Sequence, residues 1–293
     1  MPTIHHLYNR SFFRNKPAPP LNIPGFMETF GPQELPLADC LVIHVPSILL
    51  THRPDELHDL RKIVPKQQIW VAQSYESAVN YPALDDPEFI SLFNLEMSYR
   101  QTADIWTPYI PGQLLQQPVE CTIPARRRLC CAFVSSSVNE SGRQAYMRDL
   151  MRSLTVHSYG KFMRNKRVII DRGTSTKLRI LKKYRFALAF ENAIETDYVT
   201  EKFFEPLITG AIPVYLGAPN IEQFAPGENC FVNANAFTSP VALAGFLRDA
   251  DPSHFHQWRT QPLRADFRNR TKRLETAKQL ELSRQLGQML EQS

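Results

Sequence analysis

The sequence predicts an α/β protein of two domains, each built on a parallel sheet, and three observations carry that prediction. Apolar runs of strand length alternate with helical or polar segments, the pattern of parallel strands joined by crossovers. A chain of 293 residues with 43% hydrophobic content buries a substantial core and has room for about two such sheets. A stretch with two prolines and a charge run, "QQPVECTIPARRR", divides the runs into an earlier and a later set and places a boundary near residue 125.

In chain order the strand-like runs are Cys40–Val45, Gln68–Ala72, Leu129–Ser135, Phe186–Phe190 and Ala211–Leu216. "KPAPPLNIPG" is a short proline-rich loop, and His5 and His6 lie too near the terminus to interpret. A helix is expected over Arg143–Leu154. The "SSSVNESG" before it lacks the G-x-x-x-x-G-K-S/T order of a phosphate loop, so it reads as the strand-to-helix turn that delivers Arg143. The expected division is 1–125 for the first domain, 126–270 for the second and 271–293 for a helical tail, with Leu274, Leu280 and Leu286 among polar residues. There is no internal repeat and no long low-complexity tract.

The most informative element is "DYVTEKFFEPLITG". Val199, Phe203 and Leu207 repeat every four residues, as do Phe204 and Ile208, which makes one apolar helix face. Glu201, Lys202 and Glu205 share the opposite stripe, facing water or a cleft. Asp197 or Thr196 can cap the start, and Gly210 suits a left-handed stop. Pro206 cannot donate to the carbonyl of Lys202, so a kink or a helix in two pieces is expected. A lysine in the first turn opposes the helix dipole. A bound phosphate reverses that penalty, because free N–H groups, dipole and ammonium then converge on one anion. The competing reading is an ordinary solvated Glu/Lys face.

Charge narrows the partners. From Arg126 to Arg185 there are 16 Lys and Arg against 3 Asp and Glu, so with a net charge of +5 the remainder of the chain is acidic. An anionic partner follows: nucleic acid, a membrane surface or a phosphorylated small molecule. Nucleic acid is set aside, since the basic stretch carries no helix-turn-helix, zinc-finger or aromatic RNA-binding signature. No run of 18 apolar residues exists and "MPTIHHLYNRSFFRNK" lacks the apolar core of a signal peptide. The chain as written is expected in the cytoplasm, with a peripheral membrane contact through the basic middle segment left open. A trimmed anchor would place it in the Golgi lumen instead. The five cysteines form no C-x-x-C pair, and Cys40, Cys130, Cys131 and Cys230 sit in apolar runs, which favours buried free thiols and a reducing compartment. Asp249 and Asp251 have D-x-D spacing, but they lie between a helical stretch and a turn before Pro252, where aspartates cap and turn. The histidines offer no H-E-x-x-H pattern, and His44 reads as a strand-end polar residue that a cleft can recruit.

The stretch "YRFALAFENAIETDYVTEKFFEPLITGAIPVYLGAPNIEQFAPGENCFVNANAF" resembles the donor-binding signature of the α1,3-fucosyltransferases, with "AFEN", "DYVTEK", "IPVYLG" and "FAPGENCFVNANAF" in order. Upstream, "SYES" with "FNLEMSYRQTADIWTPY" is similar to that family's acceptor-side motif, and "SGRQAYMRDL" with "VHSYGK" resembles the opening of its donor domain. The matches cover roughly residues 70 to 260. The resemblance implies an α/β fold of the GT-B type, two Rossmann-like domains facing a central cleft. It also implies inverting transfer of L-fucose from GDP-β-L-fucose to an oligosaccharide or glycoconjugate containing N-acetylglucosamine, in α1,3 or α1,4 linkage. Carried over by position, Glu76 is the general base, Arg143 and Lys202 are cations on the diphosphate, and Asn192, Tyr198 and Glu201 contact the donor, with Glu201 on the ribose. Pro206 and Tyr75 depart from the pattern without removing a catalytic group. The alternatives are a transferase using another GDP-sugar and a catalytically silent nucleotide- or glycan-binding protein of the same fold.

The chemistry needs these residue types. Inverting transfer takes one base to remove the acceptor proton, and a single carboxylate suffices. The leaving diphosphate needs a metal or fixed cations and backbone dipoles. The expectation here is the second route, with no cofactor required and divalent ions at most stimulatory.

Overall fold

The computed structural model describes residues 1–8, 20–31, 33–115, 128–274 and 278–292. Two units emerge, Met1–Pro108 with Lys272–Ser293, and Tyr109–Thr271. The linker expected at "QQPVECTIPARRR", with its boundary near residue 125, falls almost wholly outside the described residues.

In the first unit the strands β1 (Thr3–Leu7), β2 (Met27–Thr29), β3 (Cys40–His44), β4 (Ile69–Ser74), β5 (Leu95–Ser98) and β6 (Ile105–Trp106) form a parallel sheet in the order β2-β1-β3-β4-β5-β6. The two-residue alternation of a strand sends neighbouring side chains to opposite faces. Leu41, Ile43, Trp70 and Ala72 therefore join one buried cluster, with Leu57 of helix α1 (Pro54–Ile63) and Phe89. Cys40, Val42, Ile69 and Val71 join another on the opposite face. That face is covered by the C-terminal helix, whose Leu282 and Leu286, four residues apart, are fully buried in the cluster. The segment 271–293, expected as a separate helical tail, is thus a layer of the first unit. Leu280, taken from the sequence as one of its apolar positions, is exposed.

The second unit has β7 (Arg128–Ala132), β8 (Val156–Ser158), β9 (Tyr184–Phe190), β10 (Ile212–Leu216) and β11 (Val232–Asn233), parallel and ordered β11-β10-β9-β7-β8. One face packs Ala132, Phe186, Leu188 and Val214 against Met147 and Leu150 of α2 (Arg143–Ser153) and Leu243 and Leu247 of α5 (Pro240–Asp249). The other packs Cys131, Ala187 and Ala211 against Ile180 and Leu181 of α3 (Thr174–Leu181). Burial on both faces explains why these strands read as continuous apolar runs. Cys40, Cys130, Cys131 and Cys230 are buried and free, and burial pushes the Cys40 thiol up to about 12.

Helix α4 (Glu201–Thr209) runs as one element through Pro206, so the expected division into two pieces does not occur. The proline withholds a single helix bond, the one to Lys202 O. At the far end the Thr209 hydroxyl donates to Glu205 O at 2.8 Å, and Gly210 takes the left-handed stop at φ 73°. The C-terminal helix is α6 (Lys278–Gln292).

Candidate functional site

Ligands of parallel α/β sheets bind beyond the carboxyl ends of the strands. In the second unit, β9 ends at Phe190 and delivers Glu191 and Asn192 to that edge. The Glu191 N–H still donates to Leu216 O at 2.8 Å, so the residue stays fixed to the neighbouring strand end. Its carboxylate has no exposed surface. Glu191 Oε1 accepts from the Thr200 N–H at 2.8 Å and lies 3.0 Å from the Thr200 hydroxyl, while Oε2 lies 3.2 Å from Lys202 Nζ. Close approach is required here, since a Cβ at Gly217 would stand 2.6 Å from Glu191 Cγ.

Thr200 caps α4, its hydroxyl accepting from the Lys202 N–H at 3.4 Å and from Lys202 Nζ at 2.8 Å. The cap expected at Asp197 or Thr196 is therefore three or four residues later. Asp197 is held elsewhere: it takes a left-handed φ of 69°, donates its N–H to Asn220 Oδ1 at 2.9 Å and accepts from Asn220 Nδ2 at 2.8 Å.

The polar stripe of α4 is an alternating ionic chain rather than a solvated surface. Glu201 Oε1 stands 3.6 Å from both Lys202 Nζ and Lys177 Nζ, and Lys177 Nζ stands 2.6 Å from Glu205 Oε2. Burial opposes charge throughout the chain, and neighbours decide each outcome. Burial wins at Glu191 and pushes its carboxyl up against the pull of Lys202. At Glu201 burial is outweighed by Lys202 and Lys177, which hold it down. At Lys202 burial is outweighed by Glu191 and Glu201, which push the ammonium up, so it stays charged.

Arg143 begins α2 after Gly142, whose φ is 69°, as the strand-to-helix turn required. Its side chain is buried and its guanidinium donates to Phe190 O and Val138 O, both at 3.1 Å, and to Ser136 O at 3.4 Å. It ties the turn to the end of β9, and its positive charge is near enough to act against that of Lys202. Asn192 is buried and, among the described residues, its Oδ1 has no hydrogen-bond partner. Tyr198 is also buried, and its carbonyl accepts from Tyr215 OH at 3.4 Å. Arg143, Asn192, Tyr198, Glu201 and Lys202 thus all belong to the second unit, around the start of α4 and the end of β9. Glu191, Thr200 and Lys177 are the participants that the sequence reading missed.

Glu76 belongs to the first unit, two residues past β4. The Glu76 N–H donates to Ser74 Oγ at 3.1 Å, and that hydroxyl donates back to Glu76 O at 2.9 Å, which fixes the backbone while the residue stays half-buried. Burial first and the Glu76 charge second push the Tyr81 phenol up. His44 ends β3, next in register to Gln73 of β4, and burial lowers it to about 4, so it is neutral near pH 7. Asp251 accepts from the Ser253 N–H at 2.9 Å and its hydroxyl at 2.6 Å, as a turn residue does. In the basic segment Lys161, Arg164, Lys166 and Arg167 are exposed, beside Ile169 at 98% and Ile170 at 62% exposure. No helix among the described residues is long and apolar enough to cross a membrane.

Comparison with known proteins gives a consistent likeness. The family model for glycosyltransferase family 10 (fucosyltransferase), C-terminal part, matches residues 123–291, and that for the fucosyltransferase N-terminal part matches 25–110. The 4-galactosyl-N-acetylglucosaminide 3-alpha-L-fucosyltransferase 9 of Homo sapiens is 30% identical, over 72% of this chain and 60% of that protein. The alpha-(1,3)-fucosyltransferase B of Drosophila melanogaster is 31% identical, over 62% of this chain and 45% of that protein. The chain therefore spans about 60% or less of the length of these relatives. Among solved structures, an α1,3-fucosyltransferase with GDP-fucose superposes with a TM-score of 0.61 at 14% identity, covering 94% of this chain and 90% of that one. An α1,3-fucosyltransferase crystal structure gives 0.52 at 16% identity, covering 88% and 78%. These likenesses establish the fold, α/β of the GT-B type.

Proposed function

The chain belongs to glycosyltransferase family 10, the fucosyltransferases, and from that premise we propose that it transfers L-fucose from GDP-β-L-fucose, with inversion, to an N-acetylglucosamine-containing oligosaccharide in α1,3 linkage. The observation that carries this reading is the start of α4. There Lys202, held charged at a helix N-terminus, forms a receptor for an anion, while Asn192, just past the end of β9, carries a buried amide oxygen without a hydrogen-bond partner among the described residues.

Lys202 takes the diphosphate together with the N–H groups of the first turn, and it gains as charge grows on the leaving oxygen. Arg143 adds its field from behind the end of β9, with its donors committed to backbone carbonyls. Glu201, held ionised by its two lysines, accepts from ribose hydroxyls. Asn192 and Tyr198 complete the donor contacts. Glu76 removes the proton of the acceptor hydroxyl as the new bond forms. No cofactor is required in this scheme, because fixed cations and dipoles serve the diphosphate. Transfer is expected to persist in EDTA, and complete, reversible loss on chelation would overturn that part. A peripheral contact with anionic membranes through the exposed basic stretch around Ile169 and Ile170 belongs to the same reading.

The decisive experiment is product analysis by NMR after incubating the protein and GDP-fucose with a panel of lactosamine acceptors. A fucose in α1,3 linkage to N-acetylglucosamine is expected. No product with any acceptor, or transfer from a different GDP-sugar alone, would overturn the proposal.

A further inference from the structure

We propose that Glu191 is a positioning residue, whose buried carboxylate fixes the Lys202 ammonium for the leaving diphosphate; the inference rests on the donor site proposed above.

A carboxylate with no exposed surface is costly unless it is paired and hydrogen-bonded. Glu191 meets both conditions, through the Thr200 N–H, the Thr200 hydroxyl and Lys202 Nζ. Packing alone does not call for it, since apolar residues of similar volume replace buried ion pairs without loss in other cores. Its partners point to its use. All three belong to the cap and first turn of α4, the segment that presents Lys202.

A lysine side chain is a flexible stem with a compact charge and three rotatable donors. Two of the three are directed here, one to Thr200 Oγ1 at 2.8 Å and one to Glu191 Oε2 at 3.2 Å. The remaining acceptor, Glu201 Oε1, is farther away at 3.6 Å. A phosphate oxygen takes over that third donor, and Glu201, still held by Lys177, is released toward the ribose. Glu191 also places a negative charge near a bound anion. That charge weakens ground-state attraction to GDP while the same carboxylate aligns the ammonium. Removing it therefore has opposing effects on binding and a single effect on turnover.

The test compares Glu191→Gln, Glu191→Asp, Lys202→Ala and the double variant Glu191→Gln/Lys202→Ala, reading GDP affinity and stoichiometry by calorimetry and kcat by fucose transfer. Glu191→Gln is expected to bind GDP at full stoichiometry with a Kd within about 3-fold of the parent, while kcat falls roughly 10-fold or more, a loosened form of the 10²–10³-fold loss that follows deletion of a transition-state donor. Glu191→Asp should recover part of kcat. The double variant should be no slower than Lys202→Ala, because a residue acting through Lys202 has nothing left to act on. Full stoichiometry separates this from damage to the fold. Should Glu191→Gln lack a cooperative melt, Glu191→Asp carries the same split between affinity and kcat. An unchanged kcat, parallel losses of affinity and kcat, or losses that multiply in the double variant would overturn the role of Glu191. Unchanged GDP affinity and kcat in Lys202→Ala would overturn the donor site itself.

Discussion

Lys177 of α3 stands 2.6 Å from Glu205 of α4, and this pair joins two helices that pack against each other and against β9 of the second sheet. Both side chains are mostly buried, so the pair is screened less than a surface salt bridge. Lys177 also reaches Glu201, which makes it a support for the proposed ribose contact. Lys177→Met is expected to lower stability by about 1–3 kcal/mol, because Glu205 then loses its partner. It should raise the KM for the donor several-fold with little change in kcat. Thermal unfolding and donor-saturation kinetics check both. An unchanged Tm and KM would make the pair incidental.

Glu76→Gln tests the base. The substitution keeps size and removes the proton acceptor, at a cost on the order of 10²–10⁴-fold in turnover. Donor binding should remain, since Glu76 belongs to the unit without Lys202. The measurement is transfer rate beside GDP affinity, and full turnover in a folded variant would end the assignment.

The parts that sequence made legible are those where a physical pattern is long. Five apolar strands, buried on both faces, were readable as uninterrupted runs. The short strands Met27–Thr29, Ile105–Trp106 and Val232–Asn233 were not, because two or three residues carry no period. β1 was missed for a different reason. His5 and His6 look polar, yet they are buried, and His6 is satisfied by Glu28 at 2.8 Å. In the site, helical spacing exposed the stripe Glu201, Lys202 and Glu205, but spacing within one element says nothing of Lys177 on another helix. Glu191 was hidden by its neighbours: a charged residue directly after an apolar strand looks like a solvated strand end. The return of the chain at Thr200, together with the close approach of Gly217, buries it. Pro206 withholds one helix bond without dividing the element, because the remaining turns and the Gly210 stop still close it as a single helix.

His44 predicts a pH dependence. Burial lowers its folded pKa to about 4, whereas the exposed imidazole titrates near 6.5. The unfolded chain therefore takes up this proton first as pH falls. The stability tied to neutral His44 is complete above about pH 6.5 and is lost progressively down to about 4, with nothing further below. His44→Asn should lose about 2 kcal/mol less than the parent between pH 7 and 4.5. Urea unfolding at both pH values gives the comparison, and identical losses would show that His44 does not titrate in this window.

The exposed pair Ile169 and Ile170, flanked by Lys161, Arg164, Lys166 and Arg167, predicts binding to anionic vesicles. Attraction worth about 1 kcal/mol for each basic residue near the surface makes it salt-sensitive. Co-sedimentation with phosphatidylserine vesicles should exceed that with phosphatidylcholine and fall on Ile169→Ser/Ile170→Ser substitution. Equal recovery with both lipids would leave this loop without a membrane role.

Lys202 gives the sharpest test, because its charge is expected to matter for both binding and chemistry. Lys202→Ala removes the ammonium at the helix start and leaves Glu191 buried without its ion partner. GDP affinity should drop, and turnover should fall roughly 10²–10³-fold, the loss typical of deleting a donor that acts on growing charge. Lys202→Arg should restore only part, since a planar guanidinium does not fit the geometry that Thr200 and Glu191 impose on a compact ammonium. Lys183→Ala is the control, an exposed lysine of the same basic region outside the site. It should change neither quantity. Equal losses from Lys183→Ala and Lys202→Ala would mean that a diffuse basic surface holds the donor, because only a localised site distinguishes two lysines of the same charge.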